Sequence, residues 1–425
     1  MYLRSVIIEN VRSLERFEWR VDPEKAAGWH VLLGVNGSGK SSVLRSVALA
    51  LVGSRESAGL REDWTRWVRR GVEQGTVHLE LRTDPEFDPL PSTEVSTGIR
   101  LSRDSSWGMS DTESSKEAEA LYHSPHGFYS ASFGPFRRFT GGNRDHEHLF
   151  KSARRLARHL TIFGEDVALT ESLGWLRDLY LRHLDSGHRG KRAESAQFHG
   201  LLDRVIHFVN ESGLLPDGVR MEGVTYDEVI FVDAAGTDLP VLDLSDGYRS
   251  VLSMAFELLR QLTEAYPGFD IFDPQDPSKV WLPGVVLIDE VDVHLHPSWQ
   301  RRIGPWFRKH FPAMQFLVTT HSPFVCQAAA VGSIWRLPDP GEEGVAEEIT
   351  GALYDRLVYG DLLDAYATGY FGREETRSPA SEEKHKRLAE LNLRALRGKL
   401  DAVREEERQE LRRMFPSTPN PGLGS

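Results

Sequence analysis

The sequence predicts an α/β fold built on a mixed sheet, interrupted by a helical insertion and followed by a charged helical segment. Three observations predict it. A short apolar run, His30-Val-Leu-Leu33, stops at Gly34 and leads through a glycine-rich loop into Val43, Leu44, Val47, Ala48 and Leu51 at helical spacing. A second apolar run, Val285-Val-Leu-Ile288, ends in two carboxylates, Asp289-Glu290. Between them, residues 147–210 carry apolar side chains at helical spacing. Short apolar runs cut off by a turn residue read as buried parallel strands, and a 3.6-residue period reads as helix.

The elements follow in order. Leu3, Val6, Ile7 and Ile8 make the N-terminus a strand, and Phe17–Val21 gives a second. Residues 30–52 read strand, loop, helix. Val77, Leu79 and Leu81 alternate, so Thr76–Leu101 reads as further strands, with the Pro-, Asp- and Ser-rich Asp84–Ser96 as a loop. Ser102–Glu119 has no apolar period and reads as exposed or mobile. Helical spacing then runs through Leu149, Ala153, Leu156 and Leu160, through Leu173, Leu176, Leu179 and Leu184, and through Leu201, Val205 and Phe208. Strands return at Glu228–Val232, Val285–Ile288 and Gln315–Val318, with an apolar helix at Val251–Leu262. Residues 381–413 hold 18 charged residues in 33, with leucines at rough helical spacing. They read as a charged helix or hairpin packed on the body, because Glu407 breaks the stripe a long coiled coil needs. The last ten residues read as frayed.

Composition narrows the class. Against 51 Lys and Arg stand 63 Asp and Glu, a formal charge of −12. The single cysteine excludes an internal disulfide and a cysteine-based zinc cluster, as expected of a reduced compartment. No apolar run approaches the ~20 residues of a membrane span. The first residues lack a signal-peptide pattern, so a cytoplasmic chain without membrane contact is expected. The charge is uneven. Residues 137–192 carry 12 Lys and Arg against 7 Asp and Glu, a local +5, which leaves −17 elsewhere. A basic helical insertion on an acidic chain could meet nucleic acid phosphates or dock an acidic partner.

Four constellations carry chemistry. Gly34-Val-Asn-Gly-Ser-Gly-Lys-Ser-Ser42 fits the spacing of a phosphate loop. Gly34, Gly37 and Gly39 let the amides of Asn36, Ser38 and Ser42 turn inward, and the following helix aims its positive end at the same anion. Lys40 then reaches the β- and γ-phosphates of ATP, and the Ser41 hydroxyl ligates Mg²⁺. Asp289 sits where it can hold the same Mg²⁺, and Glu290 where it can act as general base on water. Leu244-Ser-Asp-Gly-Tyr-Arg-Ser250 opens an apolar helix, a second anion-binding end. One chain seldom needs two γ-phosphate sites, so Ser245 and Gly247 are expected to cap ATP held by a second copy. His321, in Thr319-Thr-His-Ser-Pro323 after a strand, can touch the γ-phosphate or the attacking water.

In this order the four motifs resemble an ABC-type ATPase head of the SMC, RecF and OLD-like branch. The run Asp289-Glu-Val-Asp-Val-His-Leu-His-Pro297 is similar to that branch. Leu244–Ser250 and Thr319–Pro323 further resemble the ATPase subunits of Septu-type anti-phage systems, which work beside an HNH nuclease. The resemblance implies a composite head from residues 1–140 and 223–340, an insertion at 141–222 and a C-terminal segment at 341–425. It implies a homodimer or higher oligomer around ATP, His321 as switch histidine, and Arg12 near the nucleotide. The alternative is a RecF-like DNA repair ATPase with no nuclease partner. The glutamine of ABC heads has no clear counterpart: Gln74 flanks a strand, and Ser132-Phe-Gly-Pro-Phe-Arg-Arg138 resembles an element that fills its place, with Arg137 or Arg138 sensing phosphate.

Other clusters are weaker. Arg154 with His159, and Arg177 with His183, match a loose ribonuclease spacing by chance. His146 and His148 lack further ligands, and His294 and His296 belong to the loop after Glu290. Trp64, Trp67, Arg66, Arg69 and Arg70 read as a packed amphipathic helix ahead of a nucleic acid contact.

Overall fold

The computed structural model describes residues 1–60, 62–88, 90, 93–103, 108–112, 122, 127–137, 153–164, 171–188, 200–216, 218–342, 344–371, 379–398 and 400–415. Arg138, His146, His148, most of 102–119 and the last ten residues lie outside this set, so the expectations placed on them stay as they are. Among the described residues no helix is long and apolar enough to cross a membrane. The chain divides into a unit at Met1–Phe371 and a second at Gly372–Ser425.

Among its described residues the first unit holds three sheets. An antiparallel sheet runs β2-β1-β4-β5-β6, from β1 (Tyr2–Val11), β2 (Leu14–Arg20), β4 (Gln74–Arg82), β5 (Glu94–Ser102) and β6 (Met109–Asp111). The central sheet runs β14-β13-β3-β12-β11-β7, from β3 (Trp29–Leu33), β7 (Ser130–Phe133), β11 (Gly284–Ile288), β12 (Met314–Thr319), β13 (Gly332–Arg336) and β14 (Glu347–Glu348). All its pairings are parallel except the edge pair β13–β14. A small sheet joins β8 (Arg220–Val224), β9 (Val229–Val232) and β10 (Asp238–Pro240).

The apolar pattern explains the layers. Along β11, Val285 and Leu287 join one core while Val286 and Ile288 join another, and β12 splits the same way between Leu317 and Phe316 with Val318. Both faces of the central sheet are therefore covered, as its unbroken apolar runs predict. Helix α1 (Lys40–Val52) packs in the first core between the central and antiparallel sheets. It is apolar almost all round, as a helix buried on both sides must be. The other face is covered by α5 (Asp246–Ala265) and α6 (Pro297–His310), with α4 (Leu201–Glu211) beyond. Two further helices, α2 (Arg154–His159) and α3 (Glu171–His188), precede α4 in the chain. Two short helices, α7 (Gly351–Val358) and α8 (Leu362–Tyr366), end this unit. A buried amide stitches the two sheets: Gln315 accepts from the Leu3 amide at 2.6 Å and donates to its carbonyl at 2.9 Å. It does so where β1 slips register against β4.

Two local readings change. Trp64–Arg66 is a 3₁₀ turn, not a longer amphipathic helix, though Trp64 and Trp67 are buried as expected. In the second unit, α9 (Pro379–Leu396) and α10 (Ala402–Met414) pair around Leu388, Leu391 and Leu411. This is the hairpin alternative. Glu407, which interrupts the leucine stripe, bonds Arg387 across the pair at 2.8 Å.

Candidate active site

The parallel registers bring three strand ends together. Leu32 of β3 lies beside Thr319 of β12, and Val318 of β12 lies beside Ile288 of β11. The phosphate loop, the Thr319–His321 turn and Asp289-Glu290 thus leave the sheet side by side. In an open parallel sheet the carboxyl ends are where ligands bind.

The loop is shaped by its glycines. A Cβ on Gly34 would fall 2.4 Å from the Ser38 hydroxyl, which folds back beneath it. Gly39 caps α1 at φ +100°, and a Cβ there would meet Leu14 at 2.7 Å. Asn36 and Gly37 are exposed, while Ser38, Lys40 and Ser42 are buried and Ser41 is half-buried. The cap contributes no side-chain bond, so the first amides of α1 have no side-chain oxygen to satisfy them. Lys40 Nζ donates to the Gly34 carbonyl at 2.7 Å and the Val35 carbonyl at 3.1 Å, across the mouth of the loop.

Carboxylates gather round that ammonium. Burial pushes the Lys40 pKa down, and Asp289, Glu290 and Asp292 oppose the shift. Asp289 is buried, and Thr319 ties it to its neighbour: the Thr319 hydroxyl donates to Asp289 Oδ1 at 2.6 Å and accepts from the Glu290 amide at 2.7 Å. Glu290 sits at φ +47°, a left-handed conformation that strains a non-glycine residue. Burial raises its pKa, then Asp289 and Asp292 add to the rise, while Lys40 and Arg137 oppose it. His321 is held below the usual imidazole value by burial and by Lys40, against Asp292 and Asp289. Both effects favour its neutral form.

The other expected residues fall into place unevenly. Ser245 caps α5 with no side-chain cap bond and is exposed. A Cβ on Gly247 would lie 3.3 Å from the His294 carbonyl. Among the described residues no hydrogen bond joins Ser245 or Gly247 to the phosphate loop of the same chain. Arg12 adopts φ +53°, and its guanidinium stacks 3.8 Å from the Trp67 ring centroid. Its neighbours Ser13 and Leu14 are the residues that crowd Gly39.

Gln74 is the exposed first residue of β4. The 132–138 segment leaves the sheet beside the acidic strand end, where the Asp289 amide donates to the Phe133 carbonyl at 2.8 Å. Arg137 does not reach out to sense phosphate. It is buried, and its guanidinium is spent on backbone carbonyls and on Ser250. His159 is also buried, bonded to Ser130 at 3.1 Å and to Ser132, and its pKa falls to about 3. It cannot serve nuclease chemistry there. With Arg158 buried as well, part of the basic character of 137–192 faces inward.

The sequence reading missed Thr319 as the link between the two carboxylates, and it missed Asp292. The Thr320 hydroxyl donates to Asp292, and Gln300 bonds both Ser322 at 2.8 Å and the Leu295 carbonyl at 3.0 Å. The signal for Thr319 was present, as a polar β-branched residue at a strand end before His321. The donor set for a cation is hard oxygen, Ser41 and Asp289, with no cluster of three or more His, Cys, Asp or Glu side chains among the described residues. That suits Mg²⁺, which takes few protein ligands and completes its shell with phosphate and water.

Comparison with known proteins matches this geometry. Residues 30–327 match the family model described as "AAA domain, putative AbiEii toxin, Type IV TA system". The chain is 32% identical over 160 residues to the "Retron Ec83 probable ATPase" of Escherichia coli, covering 37% of this chain and 28% of that protein. It is 23% identical over 345 residues to the "Septu protein PtuA" of Bacillus mycoides (strain KBAB4), covering 78% of this chain and 40% of that one. The chain thus spans less than half the length of these curated relatives. The fold is shared with a solved Smc head bound to the C-winged helix domain of ScpA, at TM-score 0.50 and 15% identity over 82% of this chain and 98% of that one. The phosphate loop, acidic strand end and central parallel sheet accompany the family match, the sequence is similar to Septu PtuA and the fold to the Smc head: the chain belongs to the AAA family of that description.

Proposed function

We propose that this chain hydrolyses ATP between two copies of itself and that its ATP state controls a nuclease subunit of HNH type in bacterial anti-phage defence. One observation carries the catalytic part: Lys40, Asp289, Glu290 and His321 meet at the carboxyl ends of adjacent parallel strands. The amides from Asn36 to Ser42 and the Lys40 ammonium bind the β- and γ-phosphates. Ser41 and Asp289 would hold Mg²⁺, which would offset charge on the transferred phosphoryl group. Glu290 orients the attacking water and takes its proton, in keeping with its place at the strand end beside Asp289 and Lys40. His321 offers a hydrogen bond to the γ-phosphate. Ser245 and Gly247 of a second copy close the site, in keeping with the exposed Ser245 hydroxyl at the start of α5.

The partner reading rests on the similarity to Septu and retron ATPases, and it implies work in the cytoplasm. Nucleic acid contact by the insertion falls to exposed residues such as Arg154 and Arg182. The test pairs two variants. Lys40→Ala should lose ATP binding in calorimetry. Glu290→Gln should keep binding, lower turnover by about 10²–10⁴-fold, and accumulate an ATP-bound dimer in light scattering. Wild-type turnover in Glu290→Gln removes Glu290 as the base, and retained binding in Lys40→Ala removes the loop. Co-purification of the native complex followed by mass analysis identifies the partner; recovery of no nuclease overturns that part.

A further inference from the structure

We infer that Arg137 is a positioning residue that ties the hydrolytic loop to the signature helix α5, so that the two ends of the chain's catalytic apparatus move as one body. The inference rests on the catalytic reading above and goes beyond it, because it concerns a residue that is buried and bonded to backbone carbonyls and Ser250.

The geometry is specific. From the strand end at β7, Arg137 sends Nη1 to the carbonyls of Gly134 and Asp289, each at 3.0 Å. Nη2 reaches the carbonyls of Glu290 at 3.1 Å, Val291 at 3.3 Å and Val293 at 3.5 Å. Nε donates to the Ser250 hydroxyl at 3.1 Å. Five N–H groups thus collect the whole turn after β11 on one side and α5 on the other. Ser250 stands one helical turn past Ser245 and Gly247, and Ser253 in turn donates to the Ser250 carbonyl at 2.9 Å. On its far side the same turn touches α5 again, where the His294 carbonyl sits against Gly247.

This arrangement has two consequences. Carbonyls that all point to one cation fix the backbone on which Glu290 is carried, including its left-handed conformation. The planar fork also allows no slack: a shift of α5 must move the turn that holds Asp289 and Glu290. When the start of α5 engages a nucleotide on a second copy, the strut carries that docking to the base of the first. A lysine would place a point charge among the carbonyls but could not span both sides.

Ser250→Ala and Arg137→Lys test this, because neither touches the nucleotide and Ser250→Ala leaves every carbonyl bond in place. Both should bind ATP with wild-type affinity. Ser250→Ala should lower kcat about tenfold with KM unchanged, and in the Glu290→Gln background it should weaken the ATP-dependent dimer about tenfold by sedimentation. Arg137→Lys should lose more of both. Wild-type kcat and dimer affinity in Ser250→Ala overturn the inference even if Arg137→Lys fails to fold. If the unsubstituted Glu290→Gln protein itself forms no ATP-dependent dimer, it is the sandwich reading that falls, and the kcat arm still decides the strut.

Discussion

His159 and His30 are neutral, buried imidazoles, and their burial has a measurable signature. Burial drives His159 to about 3 and His30 to about 4, well below the ordinary 6.5. The unfolded chain therefore binds more protons than the native chain between those values, and native stability falls as pH drops below about 6.5. His159→Gln keeps the polar contact with Ser132 and removes the titration. Its melting temperature should fall less steeply than that of the wild type between pH 7 and pH 5, as followed by circular dichroism. Equal slopes would mean that His159 takes up its proton in the fold at the same pH as in the unfolded chain. At this scale the sequence is an uneven guide. Lys40, Ser41, Asp289 and Glu290 announce themselves because each sits at a fixed step from a glycine or a strand end. Arg137 read as a phosphate sensor and His159 only as a chance spacing with Arg154, since burial is a property of the tertiary neighbours and leaves no mark on a single residue.

Elements were legible where one period dominates. The strands β3, β11 and β12 are unbroken apolar runs, and α1 carries its own start in the glycine loop. The short strands β6, β8 and β10 have too few residues to show alternation, and they exist because a neighbouring strand offers an edge. The hairpin α9–α10 shows the reverse case, in which a supposed defect is a contact. Glu407 breaks the leucine stripe, yet it pairs with Arg387 in an exposed ion pair. Such pairs contribute little, because water and salt screen the attraction. Leu391, fully buried in the hairpin, should matter more, since Leu→Ala in a core costs about 2–5 kcal/mol. Leu391→Ala should abolish hydrogen-exchange protection across 379–415 while Glu407→Ala leaves most of it. Comparable loss in both variants would place the ion pair, not the leucines, at the centre of the hairpin.

For the whole molecule the decisive question is whether one chain completes another's site. The four motifs were legible, and so was the argument that two anion-binding ends imply two copies. What pattern alone could not supply is which face each motif occupies, because that follows from strand order: β12 separates β3 from β11, and α5 packs on the far side of the central sheet from α1. Complementation tests the trans arrangement directly. Lys40→Ala spoils the loop of its own chain but keeps Ser245, and Ser245→Arg spoils the signature but keeps the loop. Each variant alone should be inactive. A mixed pair restores one intact site, the loop of one chain against the signature of the other. Random pairing makes half the dimers mixed with one working site in two, so activity should recover to at most about a quarter of wild type. Recovery on mixing cannot arise if each chain completes its own site. A mixture as inactive as its components, when subunit exchange is demonstrated by fluorescence transfer, would mean that Ser245 acts on the nucleotide of its own chain.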